Sequence, residues 1–93
     1  MMTFSQKIEF LQSFPELNKK ELPDGRVNFY YANSRKQGKV IVRELYPPTG
    51  NGYLCGRYMS DFKVDARGWI NIRDVGKEQL RTMVLAAISS MSK

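Results

Sequence analysis

Six basic side chains and five aromatic rings share the stretch from Arg26 to Arg57. The bases are Arg26, Arg35, Lys36, Lys39, Arg43 and Arg57, set against a single acid, Glu44, so five of the chain's six net positive charges lie here. The rings are Phe29, Tyr30, Tyr31, Tyr46 and Tyr53. Cations meet phosphate and flat rings stack on bases, so this combination predicts a surface for nucleic acid. It also suits an ordinary exposed sheet, because strands favour aromatics and guard their edges with Lys and Arg.

Other chemistry is scarce. The 93 residues include no histidine, which removes the commonest general base, the commonest metal ligand and the usual partner of a Ser or Cys nucleophile. Cys55 is the single cysteine, so neither a disulfide nor a structural zinc site is expected. It reads as a small core residue. Ser5 with Lys7, or Ser34 with Lys36, are the pairs that Ser–Lys chemistry would need, and nothing singles either out. Asp61, Asp65 and Asp74 are too widely spaced for a calcium loop and coincide with turns and a cap. The run from Gly50 to Gly56 precedes a strand rather than opening a helix, so a hairpin explains it better than a phosphate loop. A binding or structural protein without cofactor or metal is expected rather than an enzyme.

Composition bounds the rest. Apolar residues make up 42% and charged residues 26%, an ordinary globular balance for one small α+β domain over 1–93. The longest apolar run, Met83 to Ile88, falls far short of the about 18 residues a membrane span needs. The opening residues from Met1 to Ser5 lack the pattern of a signal peptide, so cytoplasmic residence is the default expectation.

Periodicity supplies the elements that must position the basic residues. Phe4, Ile8, Leu11 and Phe14 repeat at helical spacing, with Phe10 beside the stripe, and predict a helix over 3–14. Thr3 and Gln6 fit a capping box, and Pro15 disfavours helix at Phe14. Leu17 to Gly25 reads as a polar connector ending in a turn at Pro23-Asp24-Gly25.

From 26 to 73 the pattern is antiparallel sheet, a meander of three to five strands. Val27, Phe29 and Tyr31 point one way, and Arg26, Asn28 and Tyr30 the other. In Lys39 to Tyr46, Val40 and Val42 take one side; Lys39, Ile41 and Arg43 take the other. Asn51-Gly52 signals a hairpin leading to a strand from Tyr53 to Met59. A second hairpin is expected between Phe62–Val64 and Trp69–Arg73, turning at Asp65-Ala66-Arg67-Gly68 with a bulge at Gly68. Over 75–91, Leu80, Met83, Val84, Ala87, Ile88 and Met91 form a helical stripe with Asp74 as the expected N-cap. Leu85 falls off that stripe.

Two helices on one sheet face leave the other face open. Strand alternation predicts Arg26, Tyr30, Lys39, Arg43, Trp69 and Arg73 on that open face, with Arg35 and Lys36 in the basic loop that leads to Lys39 and Arg57 in the strand from Tyr53 to Met59. Trp69 and Tyr30 would stack bases while the cations pair with phosphates. The expected partner is therefore single-stranded or structured nucleic acid, bound with little sequence specificity. The alternative is a protein-interaction module or homodimer, joined through Leu85, Ile41 and the same aromatics.

The order helix, three strands, helix resembles the double-stranded-RNA-binding domain, a resemblance that implies contacts to phosphates and sugar hydroxyls. That family opens its second helix with a lysine cluster and carries a loop histidine. Here Gly76-Lys77-Glu78-Gln79 offers one lysine, and histidine is absent. Arg43, Arg57 and Trp69 before an amphipathic helix are loosely similar to the Whirly and coactivator class of single-strand binders. That similarity runs from Gly38 to Met91 and rests on topology and charge.

Overall fold

A computed structural model describes residues 2–60 and 62–93; Met1 and Asp61 lie outside the described residues. Helix α1 (Phe4–Gln12) is followed by five strands: β1 (Leu17–Glu21), β2 (Val27–Tyr31), β3 (Val40–Leu45), β4 (Tyr53–Cys55) and β5 (Trp69–Asn71). Helix α2 (Lys77–Met91) closes the chain. The strands form one antiparallel meander in the order β1-β2-β3-β4-β5, so the α+β class holds.

The predicted capping box at α1 is present in full. Gln6 N–H donates to Thr3 Oγ1 at 3.1 Å, and Thr3 N–H donates to Gln6 Oε1 at 2.9 Å. The buried side of α1 is rotated from the expected stripe: Lys7, Phe10 and Leu11 are buried, whereas Phe4 and Ile8 are only half-buried. Leu80, Met83, Val84, Ala87 and Met91 of α2 join Phe10, Leu11 and the inward residues of the sheet in one core, and Ile88 packs against its edge. The cap of α2 is Gly76, which supplies no side-chain bond; the helix starts three residues after Asp74, beyond the reach of an N-cap carboxylate there.

Three strand expectations need correction. Leu17–Glu21 is a strand, not a connector. Only Leu17 is buried, because β1 pairs with β2 alone and its lysine-rich remainder faces water, as edge strands do. Strand β4 ends at Cys55 and takes β5 as its partner, and Phe62–Val64 is not a strand. The turn at Asp65–Gly68 is as expected, with Gly68 at φ +88°. The β3–β4 connection turns at Tyr46–Gly50, where Gly50 N–H donates to Tyr46 O at 2.8 Å and Gly50 takes φ +71°, rather than at Asn51-Gly52.

The third correction concerns β3, whose burial does not alternate. Val27 pairs with Leu45, Phe29 with Val42 and Tyr30 with Val40, so β3 carries an extra residue in each interval. Two bulges result. Arg43 and Glu44 together oppose Asn28 and are half-buried, while Ile41 and Val42 are both fully buried. Val40 lies opposite Tyr30 and lines the open face; Ile41 belongs to the core, reversing the expectation for both.

Candidate nucleic-acid interface

The open face holds a concavity of about 460 Å³ whose apolar wall is Leu22, Val40 and Trp69. Its polar wall is Asn28 with two arginines and two acids: Arg26, Arg43, Asp24 and Glu44. The bulge creates this arrangement. Glu44 sits at φ +56°, a region uncommon for any residue but glycine, and its N–H donates to Asn28 Oδ1 at 2.8 Å.

Charge in this concavity is balanced. Arg26 Nη1 lies 3.5 Å from Asp24 and 3.6 Å from Glu44, and Arg43 Nε lies 3.7 Å from Glu44. All three separations exceed hydrogen-bond length, so they are loose ion pairs. Arg43 Nε is buried without a hydrogen-bond partner. Its guanidinium covers the Trp69 indole, 4.3 Å from the ring centroid, and stands 5.6 Å from the Tyr53 ring. Arg26 likewise rests 5.1 Å from the centroid of Tyr46. Such stacked arginines gain cation–π attraction of about 0.5–1 kcal/mol at exposed sites.

Four of the predicted cations, Arg35, Lys36, Lys39 and Arg57, lie elsewhere, at the end of the sheet where β2 turns into β3 and β4 into β5. Lys36 Nζ reaches across to the Tyr58 ring at 5.2 Å, which joins the two loops. Arg35 N–H donates to Met91 O at 2.7 Å, and Tyr31 Oη bonds Ser92 Oγ at 2.6 Å, tying the basic turn to the C-terminal end of α2. That helix end carries partial negative charge, which favours nearby cations. Ser34 shapes the turn by donating from Oγ to Gly38 O at 3.0 Å and accepting from Lys36 N–H at 3.1 Å. Lys39 folds back to donate to Ser34 O. Arg57 packs beside Gly68 and donates to Arg67 O at 3.3 Å.

These two loops carry Arg35, Lys36, Lys39, Arg57, Lys63 and Arg67 against Asp61 and Asp65 in sequence. None of the six cations forms an ion pair among the described residues. The Asp65 carboxylate is held below its usual range, first by the N–H of Trp69 and then by that of Arg67, both donating to Oδ1.

The nine predicted residues therefore divide. Arg26, Arg43 and Trp69 share the concavity, with half-buried Tyr30 beside it across from Val40. Arg35, Lys36, Lys39 and Arg57 gather at the basic end. Arg73 follows β5 at the opposite end, where its carbonyl accepts from Lys7. The homodimer expectation loses Ile41, which is fully buried, and keeps Leu85, which is 51% exposed. The exposed large apolar side chains Tyr46, Val64 and Leu85 lie on three separate segments.

Sequence reasoning missed Asp24 and Glu44 as neutralising groups, because a bulge that places Glu44 beside Arg43 leaves no periodic trace. Among the described residues, no helix is long and apolar enough to cross a membrane, and no three of His, Cys, Asp or Glu form a group that could hold a metal ion. The chain matches no family model, no curated protein and no solved structure.

Trp69 is the chain's single tryptophan, so its emission reports on the concavity alone. Acrylamide, a neutral quencher, should quench it at an intermediate rate. Arg43→Ala should raise that rate by uncovering one indole face. Emission that ignores acrylamide in both proteins would place the indole in the core instead.

Proposed function

We propose that this domain binds a nucleic-acid strand, taking its phosphates at the basic end of the sheet and offering Tyr30 and Trp69 as stacking surface beside them. The observation that carries this reading is the separation of charge. Arg26 and Arg43 are neutralised by acids, whereas Arg35, Lys36, Lys39 and Arg57 stand together with no acid paired to them among the described residues. Clustered cations without an acidic partner can release counterions from phosphates, the main source of sequence-tolerant affinity. The rings add about 1–3 kcal/mol for each stacked base.

Anisotropy titration of a labelled single-stranded oligonucleotide at two salt concentrations tests this. Affinity should fall with salt at a slope of about −0.7 per neutralised phosphate. The triple variant Arg35→Ala, Lys36→Ala, Arg57→Ala should bind weakly and show a shallower slope, while Arg73→Ala should retain both. No binding at low salt, or binding indifferent to salt and to the triple variant, would overturn the reading.

A further inference from the structure

We propose that the open-face concavity is a pocket for one unpaired guanine, which would give an otherwise sequence-tolerant strand binder a base preference. This rests on the strand-binding reading above and adds to it a site of different chemistry. The concavity is a poor place for phosphate, since Asp24 and Glu44 oppose a second anion there. It suits a base better. Its apolar lining is Trp69, Val40 and Leu22, the planar Arg43 guanidinium lying over the indole is itself a surface on which a base can stack, and the Arg57 side of the basic end adjoins Trp69 through the Gly56–Gly68 backbone pair.

The polar wall selects which base. Arg26 Nη1 and Glu44 Oε1 stand side by side, 3.6 Å apart, a donor next to an acceptor. Their contacts are too long to be hydrogen bonds, so the carboxylate keeps lone pairs to offer. Guanine alone presents two adjacent donors, N1–H and N2–H2, with the acceptor O6 beside them. A carboxylate accepts from both donors while a guanidinium donates to O6. Cytosine and adenine present one exocyclic amine beside an acceptor, and thymine a single N–H. A duplex would hide this edge, so the pocket requires a single strand.

Two features set this polar wall apart from an ordinary sheet face. Glu44 is a non-glycine residue in the left-handed region, held there by Asn28. Such strained positions concentrate at ligand sites. Arg43 Nε is buried with no hydrogen-bond partner, an exception native structures rarely leave unexplained.

The test uses five-nucleotide thymidine strands whose central base is guanine, adenine, cytosine or thymine, titrated at low salt and followed by Trp69 emission and by anisotropy. The guanine strand should bind tightest, by about five- to a hundredfold, the range one good bidentate contact supplies. It should quench Trp69 most strongly. Glu44→Gln should abolish this preference while binding the all-thymidine strand at least as tightly, because it removes a negative charge. Equal affinity for all four strands with unchanged Trp69 emission would overturn the guanine pocket and leave phosphate binding standing. A preference that survives Glu44→Gln would also overturn it. Failure of every strand to bind at low salt would overturn both readings.

Discussion

Lys7→Met should destabilise the fold by about 2–4 kcal/mol, although the two side chains are similar in length and a charge is removed from the interior. Lys7 is fully buried in α1. Its Nζ donates to Gly50 O at 2.6 Å in the β3–β4 connection and to Arg73 O at 3.0 Å beyond β5. One ammonium thereby joins the first helix to two distant connections. Replacing a buried polar pair with apolar groups on both sides is often neutral, but here the carbonyls belong to the backbone and remain. Each carbonyl left without a donor costs about 1–3 kcal/mol. Chemical denaturation of the two proteins measures the difference. A Lys7→Met variant as stable as the parent would show that water satisfies both carbonyls.

The same residue makes stability depend on alkaline pH. Burial lowers the Lys7 pKa, a shift that Asp74 opposes and Arg73 reinforces. Between the lowered folded value and the ordinary unfolded value, the unfolded chain binds more protons than the native one. Stability therefore rises with pH across that window and levels off above the unfolded value. Neutral lysine still carries two N–H donors, enough for both carbonyls, so deprotonation leaves the hydrogen bonds intact. The gap in stability between parent and Lys7→Met should widen as pH climbs from neutral towards the ordinary lysine value. A gap that stays constant would mean that Nζ is effectively solvated.

Lys7 also illustrates what the sequence discloses. Its spacing to Phe10, Leu11 and Phe14 is that of a buried helical stripe, but a lysine is rarely buried unless partnered, and the partners here come from 43 and 66 residues away. The faces of β2 were legible because it alternates cleanly: Val27, Phe29 and Tyr31 buried, Asn28 and Tyr30 half-exposed. The faces of β3 were not, because each bulge reverses the parity of every residue beyond it. Strand β1 was hidden by the polarity of an edge strand. For the candidate site, alternation alone puts Arg26, Tyr30 and Trp69 on the open face, whereas Arg43 joins them through a bulge that alternation does not foresee. Whether those arginines were free depended on two acids, one brought by a turn and one by a bulge. The basic end depended on Lys36 and Tyr58 meeting across two loops, and no local pattern encodes that.

Helix α2 offers the sharpest contrast between neighbouring leucines. Leu80 is fully buried in the core beside Val84, one turn further along the same stripe. Leu85 is 51% exposed. Leu80→Ala removes buried methyl groups and leaves a cavity that packed neighbours only partly fill, so it should cost about 2–5 kcal/mol. For a domain of this size that is a large share of total stability, and the variant should melt well below the parent. Leu85→Ala removes a side chain already half in water and should change monomer stability by no more than about 0.5 kcal/mol. Sedimentation measured alongside the melts separates packing from association. If two copies of the chain meet through α2, Leu85→Ala should leave the melt of dilute protein unchanged while weakening the dimer. A monomeric protein in which Leu85→Ala destabilised as much as Leu80→Ala would mean that α2 is buried on both sides, and a two-layer sandwich supplies nothing to cover the outer one.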